Sequence, residues 1–130
     1  MRFLLDSAVL IARCSVGHEH HARAKAWMDV HPEFAVCPIT EGALVRFVSR
    51  ISQNPNSEPA QVLAMLAKIK GYEFWPDDLS YASIRLDLIF GHKQATDTYL
   101  VALAEHRGSR LATFDLALAR VHAEALLIPG

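Results

Sequence analysis

Two apolar runs meet across a single acidic residue in the stretch Phe3-Leu4-Leu5-Asp6-Ser7-Ala8-Val9-Leu10-Ile11. The first run, Phe3-Leu4-Leu5, is short and continuously apolar, as is typical of a strand covered on both faces of a parallel sheet. The second run begins at Ser7 and predicts a helix that reaches Arg13. The chain therefore opens with a strand that passes directly into a helix, with Asp6 at the junction.

The same alternation of strand and helix continues to the end of the chain. Further strands are predicted at Phe34 to Cys37, Tyr72 to Trp75, Arg110 to Thr113 and Ala125 to Ile128. Helices are predicted from His20 to Val30, from Pro38 to Ile51, from an N-cap at Ser57 to Gly71, from Leu79 to Ile89, from an N-cap at Thr96 to Arg107, and between the last two strands. This rhythm predicts an α/β fold with a mostly parallel sheet of about five strands and helices on both faces.

Length and composition predict one domain that spans residues 1–130. The chain has 130 residues, of which 52% are hydrophobic, so it is long enough for a real core and too short for two domains of ordinary size. Lys and Arg number 13 against 14 for Asp and Glu, so the protein has no strong overall electrostatic field. A nucleic-acid partner must therefore be held by a local patch or through a metal ion.

The sequence also predicts a soluble, cytoplasmic protein with no membrane partner. Cys14 and Cys37 lie in apolar segments and match no metal-binding spacing, which favours buried free thiols and a reducing compartment. Asp6 interrupts the apolar N-terminal run and no cleavage site of small residues follows it, so an export signal is not expected. No stretch approaches the roughly 20 apolar residues that a membrane-spanning helix needs.

Four acidic residues lie where strands end or helices begin. Asp6 and Asp115 each follow a predicted strand, whereas Glu41 and Asp97 lie in the first turns of predicted helices. In open α/β sheets the ligand crevice lies outside the carboxyl ends of the strands, so these side chains can converge there. Convergent carboxylates repel one another unless a cation joins them, and hard divalent ions prefer oxygen ligands. The arrangement predicts a metal site.

Each acid also has a purely structural interpretation. Asp6 and Asp115 could simply cap the helices that follow them, and Glu41 could compensate the dipole of its helix. Asp97 shares a helix face with Leu100 and other apolar residues, which indicates that it points inward. Each structural interpretation is reasonable alone, but four such acids at strand-to-helix junctions favour a shared site.

The chain resembles PIN-domain ribonucleases of the VapC toxin type over essentially its whole length. The resemblance rests on the order and placement of four segments, since none is decisive alone. These are Leu4 to Ala12, Cys37 to Glu41, Gly91 to Leu100 with Ala102-Leu103-Ala104, and Leu111 to Asp115. It implies a three-layer α/β/α PIN fold and a Mg²⁺-dependent endoribonuclease, with Mn²⁺ as a substitute ion. It also implies inhibition by a small antitoxin of the VapB type and assembly as a homodimer.

The resemblance assigns roles to individual residues. Asp6, Glu41, Asp97 and Asp115 match the family's acidic quartet without substitution, as catalytic and metal-binding residues, and Ser7 and Thr113 fall where hydroxyl groups support the site. We expect Asp6 and Asp97 to be direct metal ligands. Glu41 is expected to act through water, and Asp115 as a ligand or as support for one.

Two other metal-dependent classes fit poorly. A haloacid-dehalogenase-like phosphatase needs a second Asp two residues after the first, and Ala8 stands at that position. A response-regulator receiver needs paired acids after its first strand and a lysine after its last, and neither is present. The remaining alternative is a non-catalytic PIN-like module that binds RNA or protein, against which the complete set of acids argues.

Several basic and aromatic residues have no assigned role. The cluster His18-Glu19-His20-His21 has no remote partner for zinc and is interpreted as a solvated helix start. His92 and Lys93, just before Asp97, are the better candidates for phosphate contact. Trp27 and Phe47 are expected in the core or at an interface, where an amphipathic antitoxin helix could pack.

Overall fold

A five-stranded parallel sheet organises the chain, and the computed structural model describes all residues from 1 to 130. The strand order across the sheet is β3-β2-β1-β4-β5, and every neighbouring pair is parallel. The prediction of a mostly parallel sheet of about five strands is confirmed. The strands are β1 (Phe3–Leu5), β2 (Phe34–Val36), β3 (Tyr72–Phe74), β4 (Leu111–Thr113) and β5 (Ala125–Leu127).

Six α-helices connect and cover these strands. They are α1 (Ser7–Cys14), α2 (His21–Val30), α3 (Pro38–Ile51), α4 (Glu58–Ala67), α5 (Ala95–His106) and α6 (Leu116–Val121). Pro38 and Pro59 stand in the first turns of their helices, where a missing N–H costs nothing. Gly108, with φ of +68°, follows the end of α5 as predicted for a C′ glycine. No helix has the length and hydropathy needed to cross a membrane.

Side-chain alternation along the short strands divides the core into two halves. Phe3 and Leu5 of β1 pack with residues of α1 to α4, whereas Leu4 between them packs with residues of α5 and α6. All three are buried, which explains why the strand is apolar at every position. The sheet therefore lies between two helical layers, as the three-layer prediction requires.

The register of the central strand fixes which residues meet at the edge of the sheet. β1 lies between β2 and β4, with Leu4 opposite both Ala35 and Leu111. One residue beyond β1, the backbone N–H of Asp6 donates a 2.9 Å hydrogen bond to the carbonyl of Ala112. Asp6 is therefore held beside the end of β4.

Two local predictions are wrong. The segment from Leu79 to Ile89 forms two 3₁₀ turns, Tyr81–Ser83 and Leu86–Leu88, in place of an α-helix. Ile84 between them is extended, and neither turn contains a buried residue, so no buried apolar stripe supports a helix there. Helix α5 begins at Ala95, before the predicted N-cap Thr96, because a third 3₁₀ turn at His92–Gln94 runs directly into it.

Among the six glycines, Gly71 makes the closest approach to another backbone segment. Its φ is +100°, and a Cβ atom there would lie 2.1 Å from the carbonyl oxygen of Pro32. Its own carbonyl accepts a 3.0 Å hydrogen bond from the N–H of Phe34, at the start of β2. Gly71 therefore allows β3 to begin beside β2.

We expect Gly71→Ala to lower the free energy of unfolding by about 2–3 kcal/mol, because it combines a strained φ with a backbone clash. Gly108→Ala is the matched control, since its φ is also positive but nothing lies within 4 Å of the added Cβ. That variant should lose about 1–2 kcal/mol. Urea unfolding measures both, and an equal loss in the two variants would show that the Pro32 contact is unimportant.

Candidate active site

Asp6 lies at the carboxyl end of the central strand with both carboxylate oxygens engaged. Its Oδ1 accepts a 2.8 Å hydrogen bond from the N–H of Ser7, and its Oδ2 accepts a 2.7 Å bond from the hydroxyl of Thr113. The side chain is only 9% exposed. Asp6 therefore has the capping role that a purely structural interpretation gives it, because it is the N-cap of α1. The bond to Thr113 goes beyond capping and orients the carboxylate.

Thr113 connects two of the predicted site residues. Its hydroxyl donates its proton to Asp6 and accepts a 3.0 Å hydrogen bond from the backbone N–H of Asp115. A hydroxyl has one donor and can accept as well, so both bonds can form together. Thr113 is fully buried, which leaves few other conformations open to it. The expectation that a hydroxyl supports the site at this position agrees with these bonds.

Asp115 also has a structural role, because it is the N-cap of α6. Its Oδ1 accepts a 3.1 Å hydrogen bond from the N–H of Leu118. The second oxygen makes no hydrogen bond within the protein. Asp115 is an exposed residue that lines a cleft together with Asp97. One carboxylate can therefore cap the helix and face the cleft.

Asp97 projects from the first turn of α5 and is half-buried. Burial, followed by the negative charges of Asp6 and Asp115, raises its pKa to about 6. Burial also raises the pKa of Asp6 and the charge of Asp115 adds to this, against the hydrogen bonds from Thr113 and Ser7 that lower it. Asp6, Asp97 and Asp115 therefore lie close enough for their charges to oppose one another.

Glu41 stands apart from these three aspartates. It lies in the first turn of α3, is half-buried, and its pKa is raised by burial alone. Its charge instead raises the pKa of Tyr72, together with the burial of that side chain. No three His, Cys, Asp or Glu side chains are close enough together to form a ready-made metal-binding group. The four-carboxylate site therefore stays a prediction: the charges of Asp6, Asp97 and Asp115 act on one another, but these side chains do not form such a group.

The cleft beside Asp97 and Asp115 has a volume of about 90 Å³. It is also lined by three polar residues that the sequence did not point to, namely Gln94, Thr98 and His122. Thr98 could have been found as the neighbour of Asp97 on an inward-facing helix. His122 lies in the connection between α6 and β5, for which sequence patterns give no signal.

The basic residues considered earlier lie outside this cleft. His92 and Lys93 occupy the exposed turn before α5. In the histidine cluster, the N–H of His20 donates to Nδ1 of His18, and Nδ1 of His21 bonds the carbonyl oxygen of Ala12. The ring of His20 lies 5.3 Å from that of Phe114, next to Asp115 in sequence. These contacts organise the turn between α1 and α2.

Comparison with known proteins agrees with this fold. Residues 3–124 match the PIN domain family. Ribonuclease VapC29 of Mycobacterium tuberculosis is 42% identical over 131 residues, which cover 99% of this chain and 98% of the relative. Ribonuclease VapC39 of the same species is 40% identical, and the match covers 92% of each chain.

Two solved structures share the fold at low sequence identity. The crystal structure of VapBC2 from Rickettsia felis, bound to a DNA fragment from its promoter, matches 98% of this chain and 97% of its own with a TM-score of 0.71 and 16% identity. The structure of FitAcB from Neisseria gonorrhoeae matches 98% of this chain and 96% of its own, with a TM-score of 0.65 and 21% identity.

An α/β domain of this topology, with aspartates gathered at the carboxyl ends of its central strands, is a PIN domain. The chain belongs to the PIN domain family, and within that family it groups with the VapC proteins.

The crowding of charge predicts the pH dependence of stability. The pKa of Asp97 is about 6 in the folded protein against 3.8 ordinarily, so ionisation destabilises the metal-free fold. The penalty is absent below about pH 4 and complete above about pH 6. Asp97→Asn should therefore be more stable than wild type by about 1–2 kcal/mol at pH 7.5, allowing for solvent screening, and equal to it near pH 4.

Urea unfolding in the presence of a chelator measures this difference across the pH range. Asp29→Asn, on the exposed face of α2, is the control, because that carboxylate pairs only with the exposed Lys25. An Asp97→Asn variant that is less stable than wild type at pH 7.5 contradicts the electrostatic description of the site.

Proposed function

We propose that this protein is a Mg²⁺-dependent endoribonuclease and the toxin of a toxin–antitoxin pair. The observation that carries the proposal is the set of Asp6, Asp97 and Asp115, whose charges act on one another at the carboxyl end of the sheet. Such crowding is costly for the fold and is useful where a cation is to be bound. The names of the VapC relatives, which are ribonucleases, supply the reaction class.

The donor set fits a hard divalent cation. The site offers carboxylate oxygens and no thiolate, which suits Mg²⁺ or Mn²⁺ better than zinc. Asp6 is pre-oriented by Thr113 and Ser7, and Asp97 and Asp115 face a cleft open to substrate. When bound, such an ion supplies charge stabilisation at the phosphate and an activated water.

The protein's own residues have separate roles in this proposal. Asp6 and Asp97 would hold the ion directly, and Thr113 keeps the Asp6 carboxylate in position. Asp115 would support the ion from the start of α6. Glu41, whose pKa burial raises, would orient a water molecule and accept its proton. Hydrolysis would add this water across one P–O bond of the RNA, leaving a phosphate group on one fragment and a hydroxyl group on the other.

A small antitoxin of the VapB type is the partner that fits best. An acidic cleft attracts a cationic side chain, so an antitoxin Arg or Lys can pair with the aspartates and exclude both metal and RNA. Next to α2 lies an apolar cleft of about 580 Å³ that includes Trp27 and Val30, where an amphipathic antitoxin segment can pack. A homodimer, which the family resemblance implies, belongs to the same proposal.

The alternative is a PIN-like module that binds RNA or protein without cleaving it. It predicts that the carboxylates can be replaced without functional loss. Their proximity argues against it, because a site without a metal gains nothing from three opposed charges.

We expect Asp6→Asn to reduce cleavage of total cellular RNA by at least about 100-fold, since one oriented charge in the site is lost. The Asp29→Asn control should cleave as wild type does. Cleavage by wild type should stop when a chelator is added and return with excess Mg²⁺ or Mn²⁺. Wild-type rates in the Asp6→Asn variant are incompatible with the assignment.

The same ions should raise the melting temperature of wild type and of Asp29→Asn, and raise it much less in Asp6→Asn. The reason is that a ligand that binds only the folded state stabilises it. This melting experiment does not depend on finding the correct RNA substrate. A melting temperature indifferent to divalent ions in all three proteins excludes a metal-dependent site here.

Expression of the chain alone should arrest growth of a host cell, and expression of Asp6→Asn should not. The growth arrest should be relieved by co-expression of the cognate small antitoxin, because its cationic group blocks the aspartates. The Asp6→Asn variant should still bind that antitoxin, which a pull-down from the co-expressing cells measures. Harmless expression of wild type together with no bound small protein would favour a nuclease outside a toxin–antitoxin pair.

A further inference from the structure

A second cleft lies next to the acidic cleft, and His122 forms part of the boundary between them. The second cleft has a volume of about 260 Å³, larger than the first. Both are lined by Leu88, Thr98, Val121 and His122, so the second cleft adjoins the one that Asp97 and Asp115 line. A chain that is cleaved at the aspartates must extend along the surface on either side, and the second cleft is a path for it.

His122 is buried and has no hydrogen-bond partner for its ring in the protein. It is only 7% exposed. The single side-chain nitrogen or oxygen that is both fully enclosed and unpartnered is Nδ1 of His31, so the ring nitrogens of His122 must reach the open space of the cleft. Burial lowers the pKa of His122, which leaves one nitrogen as a donor and the other as an acceptor at neutral pH. Because these nitrogens face open space, a molecule bound in the cleft could take the place of water as their hydrogen-bond partner.

The charges at the second cleft decide what can enter it. Glu105, Glu124 and Arg85 line it. The hydrogen bond to Asp87 and the charge of Asp87 raise the pKa of Arg85 most, and the charges of Glu105 and Glu124 add to this. The guanidinium of Arg85 already makes bonds of 2.9 and 2.7 Å to the carboxylate of Asp87. The net charge around the cleft is therefore negative, which opposes entry of a phosphate.

A nucleobase suits this cleft better than a phosphate. Ala102 of α5 and Val121 of α6 give an accessible apolar lining, with the buried Val101 behind them, on which the flat face of a base can lie. Carboxylates accept hydrogen bonds from exocyclic amino groups, which adenine, cytosine and guanine have and uracil lacks. Sequence-specific proteins read single-stranded RNA through such splayed bases.

We propose that the second cleft binds the base of a nucleotide next to the cleaved bond, with His122 as the contact that sets its position. The cleft prefers a base with an exocyclic amino group over uracil. This inference rests on the proposed cleavage of RNA, and it makes the protein selective at one position beside the cut. His122 and the second cleft thus determine which base is accepted, a role separate from that of the carboxylates.

Two variants test the proposal in different ways. Ala102→Leu fills the second cleft from the middle of α5, and His122→Phe keeps the volume of the ring while removing both hydrogen-bonding nitrogens. His122→Asn retains one donor and one acceptor and should restore most of the function. Ala67→Leu is the control, an exposed alanine at the end of α4 on the opposite side of the sheet. Circular dichroism and melting curves confirm that each variant is folded.

The measurement uses short RNA oligonucleotides that contain the cleavage site mapped with wild type and differ only in the flanking nucleotides. Wild type and Ala67→Leu should cleave substrates with uracil at one flanking position most slowly. Ala102→Leu and His122→Phe should lose that discrimination and raise KM by about 10-fold on the preferred substrate, with a smaller change in kcat. The proposal is overturned if both variants keep the wild-type KM and preference.

A measurement of RNA binding distinguishes failure of this inference from failure of the proposed function. Fluorescence anisotropy measures RNA affinity in the Asp6→Asn background, with and without Ala102→Leu. Weakened binding supports the base cleft even if wild type proves unable to cleave RNA. Unchanged binding, or the absence of any RNA binding, overturns the inference whether or not the carboxylates cleave.

Discussion

The hydrogen bond from the Thr113 hydroxyl to the Asp6 carboxylate is the contact on which the site depends. It exists because β1 and β4 are parallel neighbours whose register places the residue after one strand beside the last residue of the other. The same hydroxyl accepts a bond from the N–H of Asp115, which positions the start of α6. One buried side chain thus joins the central strands to two of the acids. Without it, the Asp6 carboxylate would be buried with an unsatisfied oxygen.

The second constraint is the charge that this arrangement concentrates. Burial and neighbouring carboxylates raise the pKa of Asp6 and Asp97, so the ionised forms of these side chains destabilise the metal-free fold. A bound cation would offset that cost, so metal binding should stabilise the fold. The same crowding of negative charge would favour an inhibitor that carries an Arg or Lys.

The parts of the fold that sequence could predict are those in which local pattern and tertiary structure agree. The apolar run of β1 and the acid that follows it predicted both the strand and the position of Asp6. The segment from Leu79 to Ile89 was predicted as a helix, but Leu79 and Ile84 pack against the core as partly buried side chains, and neither 3₁₀ turn contains a buried residue. The sequence placed Asp97 and Asp115 near one edge of the sheet, where they line one cleft, but it could not show that burial alone raises the pKa of Glu41. His122 was missed because its importance comes from a cleft formed by two distant elements.

Anomalous diffraction from crystals of the protein soaked in Mn²⁺ tests most directly whether the aspartates bind a metal ion. We expect a peak within about 2.0–2.6 Å of carboxylate oxygens of Asp6 and Asp97, the range of bonds from oxygen to hard divalent ions. The same peak should be absent from crystals of Asp6→Asn. A wild-type map with no peak among these aspartates, at a Mn²⁺ concentration that supports RNA cleavage in solution, would contradict the claim that they form the metal site.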